Sequence, residues 1–402
     1  MALSFAQMVG RCKLFRLSLV MLSLLTSCAV RLAPPAIVSD DLEVASLRAA
    51  IRHSVDYLEK LAPDRIVGEA PRRVTAGELQ DSLRAFERLL IHWPCADCLA
   101  RELDARFELV PSSADTELSK VLFTGYYQPV IDGSLTQTDE YRYPLYRKPA
   151  DLIVAEQVHL TPVMRVEKSV GRVEGEQFKP YHSRYDIEEG GVLRGRGLEI
   201  AWLKDPVEVF FLHIQGSGII RLPDGGRMSV GYAAQNGRPY RSIGRLLIDR
   251  GKVSKDEMSM QRLRQYLNDH RQERNEIFAY NESYVFFRIN PEGPLGSLEV
   301  PLTAGRSIAT DAGLFPKGAL AWIRTEMPIL DDAGRLAGWR PIARFVLNQD
   351  TGGAIRGFRR ADYYFGTGDD AGALAGYMNR PGTMFFLLLK QGQDNVRAKV
   401  SR

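Results

Sequence analysis

Asn348-Gln349-Asp350-Thr351-Gly352-Gly353-Ala354-Ile355-Arg356-Gly357, followed by Ala361-Asp362-Tyr363-Tyr364-Phe365-Gly366-Thr367-Gly368, is the densest stretch of this 402-residue chain. Two carboxylates, Asp350 and Asp362, each sit at the end of an apolar or aromatic run, among glycines. Burial in such surroundings disfavours the charged form and lifts a carboxyl above its ordinary value of about 3.9. A general acid working near neutral pH needs that shift. The competing reading is that each Asp closes a turn through side-chain hydrogen bonds to backbone. The residues alone leave the two readings even. Asp369 and Asp370 follow Gly368 and read as solvated turn residues. Asp350-Thr351-Gly352 also has the form of an aspartic-protease motif, but that chemistry needs two facing carboxylates sharing a proton. The chain has no second Asp-Ser/Thr-Gly.

Outward from this stretch the chain reads as mainly β with flanking helices. Short β-branched and aromatic runs are bounded by Gly, Pro, Asp and Asn. They predict strands at 121–127, 199–203, 207–214, 219–222, 228–232, 284–289, 319–324, 342–349 and 383–390. Pro223-Asp224-Gly225-Gly226 predicts a hairpin turn. Apolar residues at three- and four-residue steps predict helices over 40–62 and 76–92. Thr75 and Glu78 form a capping box for the second. Residues 241–273 predict a helical interlude, with a second capping box at Ser254 and Glu257.

Hydrophobic residues make up 45% and charged residues 25%, which excludes a disordered, collagenous or polytopic membrane chain. The formal charge is +4, yet residues 1–27 hold Arg11, Lys13 and Arg16 and no acid, so +4 minus 3 leaves +1 beyond them. No basic stripe remains, and nucleic acid is not an expected partner. The three cations precede an apolar run over 17–25, too short to span a bilayer and suited to a signal peptide. Leu25-Thr26-Ser27-Cys28 resembles a bacterial lipobox. The resemblance implies acylation of Cys28, removal of residues 1–27 and, because Ala29 follows, an outer-membrane lipoprotein facing the periplasm of a Gram-negative bacterium. Cys95 and Cys98, in Pro94-Cys95-Ala96-Asp97-Cys98, predict a small local disulfide in that oxidising compartment. One such pair supplies two zinc ligands where a structural site needs four. No metal and no cofactor are expected.

Ser217 lies in His213-Ile214-Gln215-Gly216-Ser217-Gly218. A hydrolase nucleophile is one reading; glycines that bend a strand or admit a ligand to the backbone are the better one.

Phe123-Thr124-Gly125-Tyr126-Tyr127-Gln128-Pro129, Pro180-Tyr181-His182-Ser183-Arg184, the His213–Gly218 segment, Tyr284-Val285-Phe286-Phe287-Arg288, Leu302-Thr303-Ala304-Gly305-Arg306-Ser307-Ile308-Ala309 and the 350–376 stretch occur in that order. Together they resemble the membrane-bound lytic murein transglycosylase A family, over roughly residues 120–390. The resemblance implies a discontinuous double-psi β-barrel from 29–128 and 290–402, whose C-terminal 3D segment spans 300–390. A smaller β domain is inserted at 129–289, with a groove between the two. It implies cleavage of the β-1,4 bond between N-acetylmuramic acid and N-acetylglucosamine by attack of the muramyl O6 on C1, giving 1,6-anhydro ends. Such chemistry asks one Asp to act as acid and then as base. The resemblance puts Asp362 in that role and Asp350 in support, and leaves the two exchangeable. Thr124, Gly125, Tyr126, Gln128, Gln215, Ser217 and Gly218 become candidate sugar contacts. Peptidoglycan strands are the implied substrate, and wall-synthesis proteins are candidate partners by analogy. Two rivals remain: a hydrolytic muramidase with Glu199 or Asp205 as second carboxylate, and a non-catalytic peptidoglycan-binding lipoprotein.

Overall fold

Two strands from distant parts of the chain lie side by side. Lys120–Gln128 pairs in parallel with Arg360–Thr367, setting Thr124 beside Asp362. The computed structural model describes residues 40–113, 120–159, 165–291 and 293–390. Cys28 and the leader lie outside them.

The pairing is one link of a ring. Leu320–Leu330, Leu336–Asp350, Ser307–Ala309, Arg360–Thr367, Lys120–Gln128 and Asn379–Leu389 follow one another, and the last bonds back to the first. The result is a closed six-stranded barrel that leaves no edge within the ring. Two of its contacts are parallel, which forces long crossovers between the strands. Phe107–Pro111 adds outside the ring along Asn379–Leu389. Phe123, Ile308 and Phe386 lie on one face of the ring's strands and Trp322 and Phe345 on the other, where Phe345 meets Phe86 of a flanking helix; all five are essentially inaccessible.

Val44–Leu58 and Ala76–Leu89 form the two expected helices and join the barrel core through Leu47, Ile51, Leu83 and Phe86. Thr75 Oγ1 accepts the Glu78 N–H and the Glu78 carboxylate accepts the Thr75 N–H, so the capping box is complete.

The chain between the first and second barrel strands builds a second body. Its six-stranded sheet runs Val285–Ile289, Arg227–Gln235, Ser217–Arg221, Val130–Ser134, Glu199–Leu203, Tyr143–Tyr146. Leu222–Gly226 closes the hairpin between the Ser217–Arg221 and Arg227–Gln235 strands. Ile153–His159, Arg165–Glu174 and Gln177–Pro180 make a separate antiparallel sheet. All described residues belong to one compact unit.

Four expectations need correction. Residues 207–214 are not a strand but lie in the helix Pro206–Gln215, with Pro at its start and Asp205 capping it. Its residues 209–213 are all buried, so the amphipathic 3.6-residue signal is absent and the run reads as a buried strand. Gly216 ends this helix in the left-handed region (φ 76°) rather than bending a strand. At Ser254–Glu257 the Ser254 hydroxyl accepts the Glu257 N–H and donates to the Glu257 carboxylate, closing a turn rather than capping a helix; the next helix is Met260–Asp269, capped by Ser259. Asp369 and Asp370 are exposed but open the helix Asp369–Tyr377.

Arg306 ties the start of the described chain to the barrel. It is wholly buried, and its ion-pair partner Asp40 has a side chain 2% exposed. The guanidinium donates to both Asp40 oxygens (2.6 and 3.0 Å), Ser46 Oγ, Glu43 O and Phe345 O. Removing one member of a buried pair strands the other charge, at about 3–5 kcal/mol. Arg306→Met should lower the unfolding free energy by about that amount, read from the urea midpoint; a loss below about 1 kcal/mol would contradict this role.

Candidate active site

The barrel register lines up the chemistry. Ala309 pairs with Asp350 on one side and with Asp362 on the other, and Asp362 pairs with Thr124 on the next strand. Paired residues point to the same face of a sheet. Thr124, Asp362, Ala309 and Asp350 therefore form one row across four strands, with the smallest side chain between the carboxylates. A bulge near Gln349 produces this register, since Ile308 pairs with Asn348 while Ala309 pairs with Asp350. Bulges re-aim the residues beside them. Buried Gln349 anchors this one by accepting from Ser307 Oγ (2.6 Å) and donating to Ala50 O and Ser54 Oγ.

The two carboxylates have different surroundings. Asp362 is held by ions and hydroxyls: Arg360 grips both its oxygens (2.9 and 3.2 Å), and Thr124 Oγ1 donates to Oδ1. Asp350 has no cation partner among the described residues. Its Oδ1 accepts the N–H groups of Ser297 (2.9 Å) and Thr351 (2.8 Å). Burial pushes its pKa up to about 6, against those N–H groups and Tyr126, which pull it down; the Asp362 charge adds to the rise. Asp350 keeps partial solvent access, as a group that must meet substrate requires. The buried Tyr126 hydroxyl lies close to Asp350 without an aligned hydrogen bond, and its ring is 5.1 Å from that of Tyr364.

Asp350 and Asp362 lie in a cleft of about 420 Å³ lined by both bodies. The inserted body contributes Gln215, Ser217, Tyr232 and Tyr240 to its wall, and the 350–360 loop contributes Arg356. Tyr232 and Tyr240 are exposed and offer faces for sugar rings. His213 also lines it; its Nδ1 lies 2.9 Å from Arg184 Nη1, and burial drives its pKa well below the ordinary histidine value.

Of the expected sugar contacts, Gln215 and Ser217 line the cleft, and Gln215 Oε1 also accepts the Tyr127 N–H. Thr124 acts on Asp362 instead. Three others are scaffold. Gln128 is 0% exposed and accepts from Thr367 Oγ1 (3.0 Å). A Cβ on Gly125 would stand 2.7 Å from Ala375 Cα, and one on Gly218 would stand 2.5 Å from Leu212 Cδ1. Both glycines allow close packing at these points. Glu199 pairs within the inserted sheet, and Asp205 caps a helix beside a different cavity. Cys95 and Cys98 are joined by a disulfide at the start of the helix Ala96–Arg106. Sequence reasoning missed Arg360, though its place two residues before Asp362 on one strand face was a usable signal. It also missed Ser297, whose contribution is a backbone N–H that no side chain announces.

Residues 122–288 match the family model of the MltA specific insert domain, and residues 306–388 match that of the 3D domain. Membrane-bound lytic murein transglycosylase A of Escherichia coli K12 is 35% identical over 279 residues, 69% of this chain and 68% of that protein. This chain belongs to the lytic murein transglycosylase A family. The family's peptidoglycan-cleaving activity makes it an enzyme. A membrane-bound lytic murein transglycosylase from Agrobacterium tumefaciens superposes with a TM-score of 0.71 at 32% identity, over 89% of this chain and 95% of that one. Escherichia coli MltA with bound chitohexaose gives 0.66 at 29% identity, over 89% and 92%.

A carboxyl whose folded pKa is raised binds its proton more tightly folded than unfolded. Its contribution to stability is present below about pH 4 and is lost as pH rises through about 6. Asp350→Asn keeps an oxygen for the two N–H groups and removes that loss. It should raise the unfolding free energy at pH 7.5 by about 2 kcal/mol, after discounting for partial exposure, and leave it unchanged at pH 3.5. Urea unfolding at both pH values checks this; equal effects at the two would contradict it.

Proposed function

We propose that this protein is a lytic transglycosylase in which Asp350, rather than Asp362, transfers the proton. The raised pKa of Asp350, in a cleft and without a cation partner among the described residues, carries the assignment. Protonated Asp350 gives its proton to the glycosidic oxygen as the C1–O bond breaks. The N-acetylglucosamine leaves with a free 4-hydroxyl. Positive charge develops at the muramyl C1 and ring oxygen. Asp350, now a carboxylate, takes the O6 proton as O6 bonds to C1. The anhydro ring closes, the acid is regenerated and no water is consumed. The nucleophile is tethered to its electrophile, so effective concentration replaces a second catalytic carboxylate. A hydrolytic glycosidase would need that second group, and Glu199 and Asp205 stand away from the cleft.

Asp362 works through position and charge. Its ion pair with Arg360 fixes it beside Asp350, where its negative charge helps keep the neighbour protonated and offsets charge at C1. Tyr232 and Tyr240 stack on sugar faces, while Gln215 and Ser217 bond hydroxyl and acetamido groups. The chitohexaose bound to Escherichia coli MltA supports a glycan as the ligand. On this reading residues 29–128 and 290–402 are the barrel domain and 129–289 the insert. Acyl chains on Cys28 tether the enzyme to the outer membrane on its periplasmic side, within reach of peptidoglycan and of wall-synthesis proteins. Among the described residues no helix is long and apolar enough to cross a membrane.

Digestion of purified peptidoglycan should release muropeptides one water lighter than lysozyme products. Asp350→Asn should lower kcat by about 10²–10⁴-fold. Asp362→Asn should retain measurable turnover, with the alkaline limb of kcat/KM, near 6 in the wild type, moved to lower pH. Products of hydrolytic mass would overturn the mechanism. Loss of all turnover in Asp362→Asn with activity kept in Asp350→Asn would reverse the two roles.

A further inference from the structure

Four arginines line the catalytic cleft: Arg184, Arg288, Arg356 and Arg360. Three are committed. Arg184 is buried and pairs with Glu188, Arg288 pairs with Glu299, and Arg360 pairs with Asp362. Arg356 has no carboxylate partner among the described residues. It is exposed, and only its Nη1 is engaged, by the Ile355 and Gly352 carbonyls (2.9 and 3.4 Å). Its Nε and Nη2 make no hydrogen bond among the described residues, leaving free the fork that grips a carboxylate with two parallel bonds. The two carbonyls hold the guanidinium on the loop that begins at Asp350, six residues away along the chain.

Resting on the proposed function, we infer that Arg356 is a specificity-determining residue that binds a carboxylate carried by the muramyl sugar. Murein and chitin share a β-1,4 backbone of N-acetylated sugars. They differ at O3 of alternate rings, where murein carries a D-lactyl ether. In a denuded strand the lactyl carboxylate is free; in a peptide-bearing strand it is amidated and the stem peptide supplies carboxylates instead. Both sources present an anion from one position of the disaccharide repeat. A neutral chito-oligosaccharide presents none. The neutral side chains proposed to face the sugar, Tyr232, Tyr240, Gln215 and Ser217, recognise features common to both polymers. Arg356 thus distinguishes substrate from its neutral analogue and sets the frame of cleavage, since it accepts a muramyl residue at only every second ring.

The test compares wild type, Arg356→Gln and Arg356→Lys on denuded murein strands and on peptide-bearing murein, with chitohexaose binding measured by calorimetry. Arg356→Gln should raise KM about fivefold to tenfold on at least one murein substrate, with kcat held within about twofold and chitohexaose affinity unchanged. An effect confined to denuded strands identifies the lactyl carboxylate, and one confined to peptide-bearing strands identifies the stem. Arg356→Lys should recover part of the loss, because it keeps the charge but not the fork. About 0.5 M salt should shrink the gap between wild type and Arg356→Gln. An equal loss for chitohexaose would mean that Arg356 only shapes the loop, and no KM change on either murein would leave it without this role; each overturns the inference. Neither touches the proposed chemistry, which stands or falls on the anhydro mass of the wild-type products.

Discussion

The pairing of Ala309 with Asp350 on one side and Asp362 on the other is the constraint on which the site depends. It requires a three-residue strand threaded between two longer ones, in parallel with the first and antiparallel to the second. It also requires the chain to return about 240 residues later to its own first barrel strand, so that Thr124 can reach Asp362. Because the barrel is closed, a one-residue slip of any strand would turn its neighbours' side chains to the wrong face. The bulge near Gln349 works within that rule. It adds one residue, buries Gln349 against Ala50 and Ser54, and delivers Asp350 to the cleft. The row of four side chains is thus a product of barrel closure, and the inserted body supplies the opposite wall.

With the row in place, the environment separates two chemically identical groups. Asp362 meets a guanidinium fork and a hydroxyl, which compensate a charge. Asp350 meets two peptide N–H groups and a largely buried setting, and burial wins, taking its pKa to about 6. One carboxyl is poised to give and retake a proton while the other stays fixed in an ion pair. That division suits a reaction in which the substrate brings its own nucleophile. It also stores instability at the site, the common trade between activity and stability.

Local rules were readable in the sequence where the interaction is local. The Thr75–Glu78 capping box needs four consecutive residues and forms as expected. The turn at 223–226 and the pair Cys95–Cys98 are equally short-range. Reading failed where burial erases periodicity, as in the helix Pro206–Gln215, or where a motif has two outcomes, as at Ser254–Glu257. The site was legible as residue types and motif order, but not as roles. The i, i+2 spacing of Arg360 and Asp362 signals their pairing, but the division of roles between Asp350 and Asp362 depends on strand register and on backbone groups from other segments. Gln128 looked like a polar contact beside two tyrosines and is an interior partner of Thr367. The backbone N–H of Ser297 has no sequence signature at all.

The central claim is that Asp350 carries the perturbed proton. The most direct measurement is a ¹³C NMR titration of the aspartate carboxyls in wild type, Asp350→Asn and Asp362→Asn. The account predicts a carboxyl midpoint near 6 in the wild type, absent from Asp350→Asn and still present, at lower pH, in Asp362→Asn. A midpoint near 6 that survives in Asp350→Asn and vanishes in Asp362→Asn would contradict it.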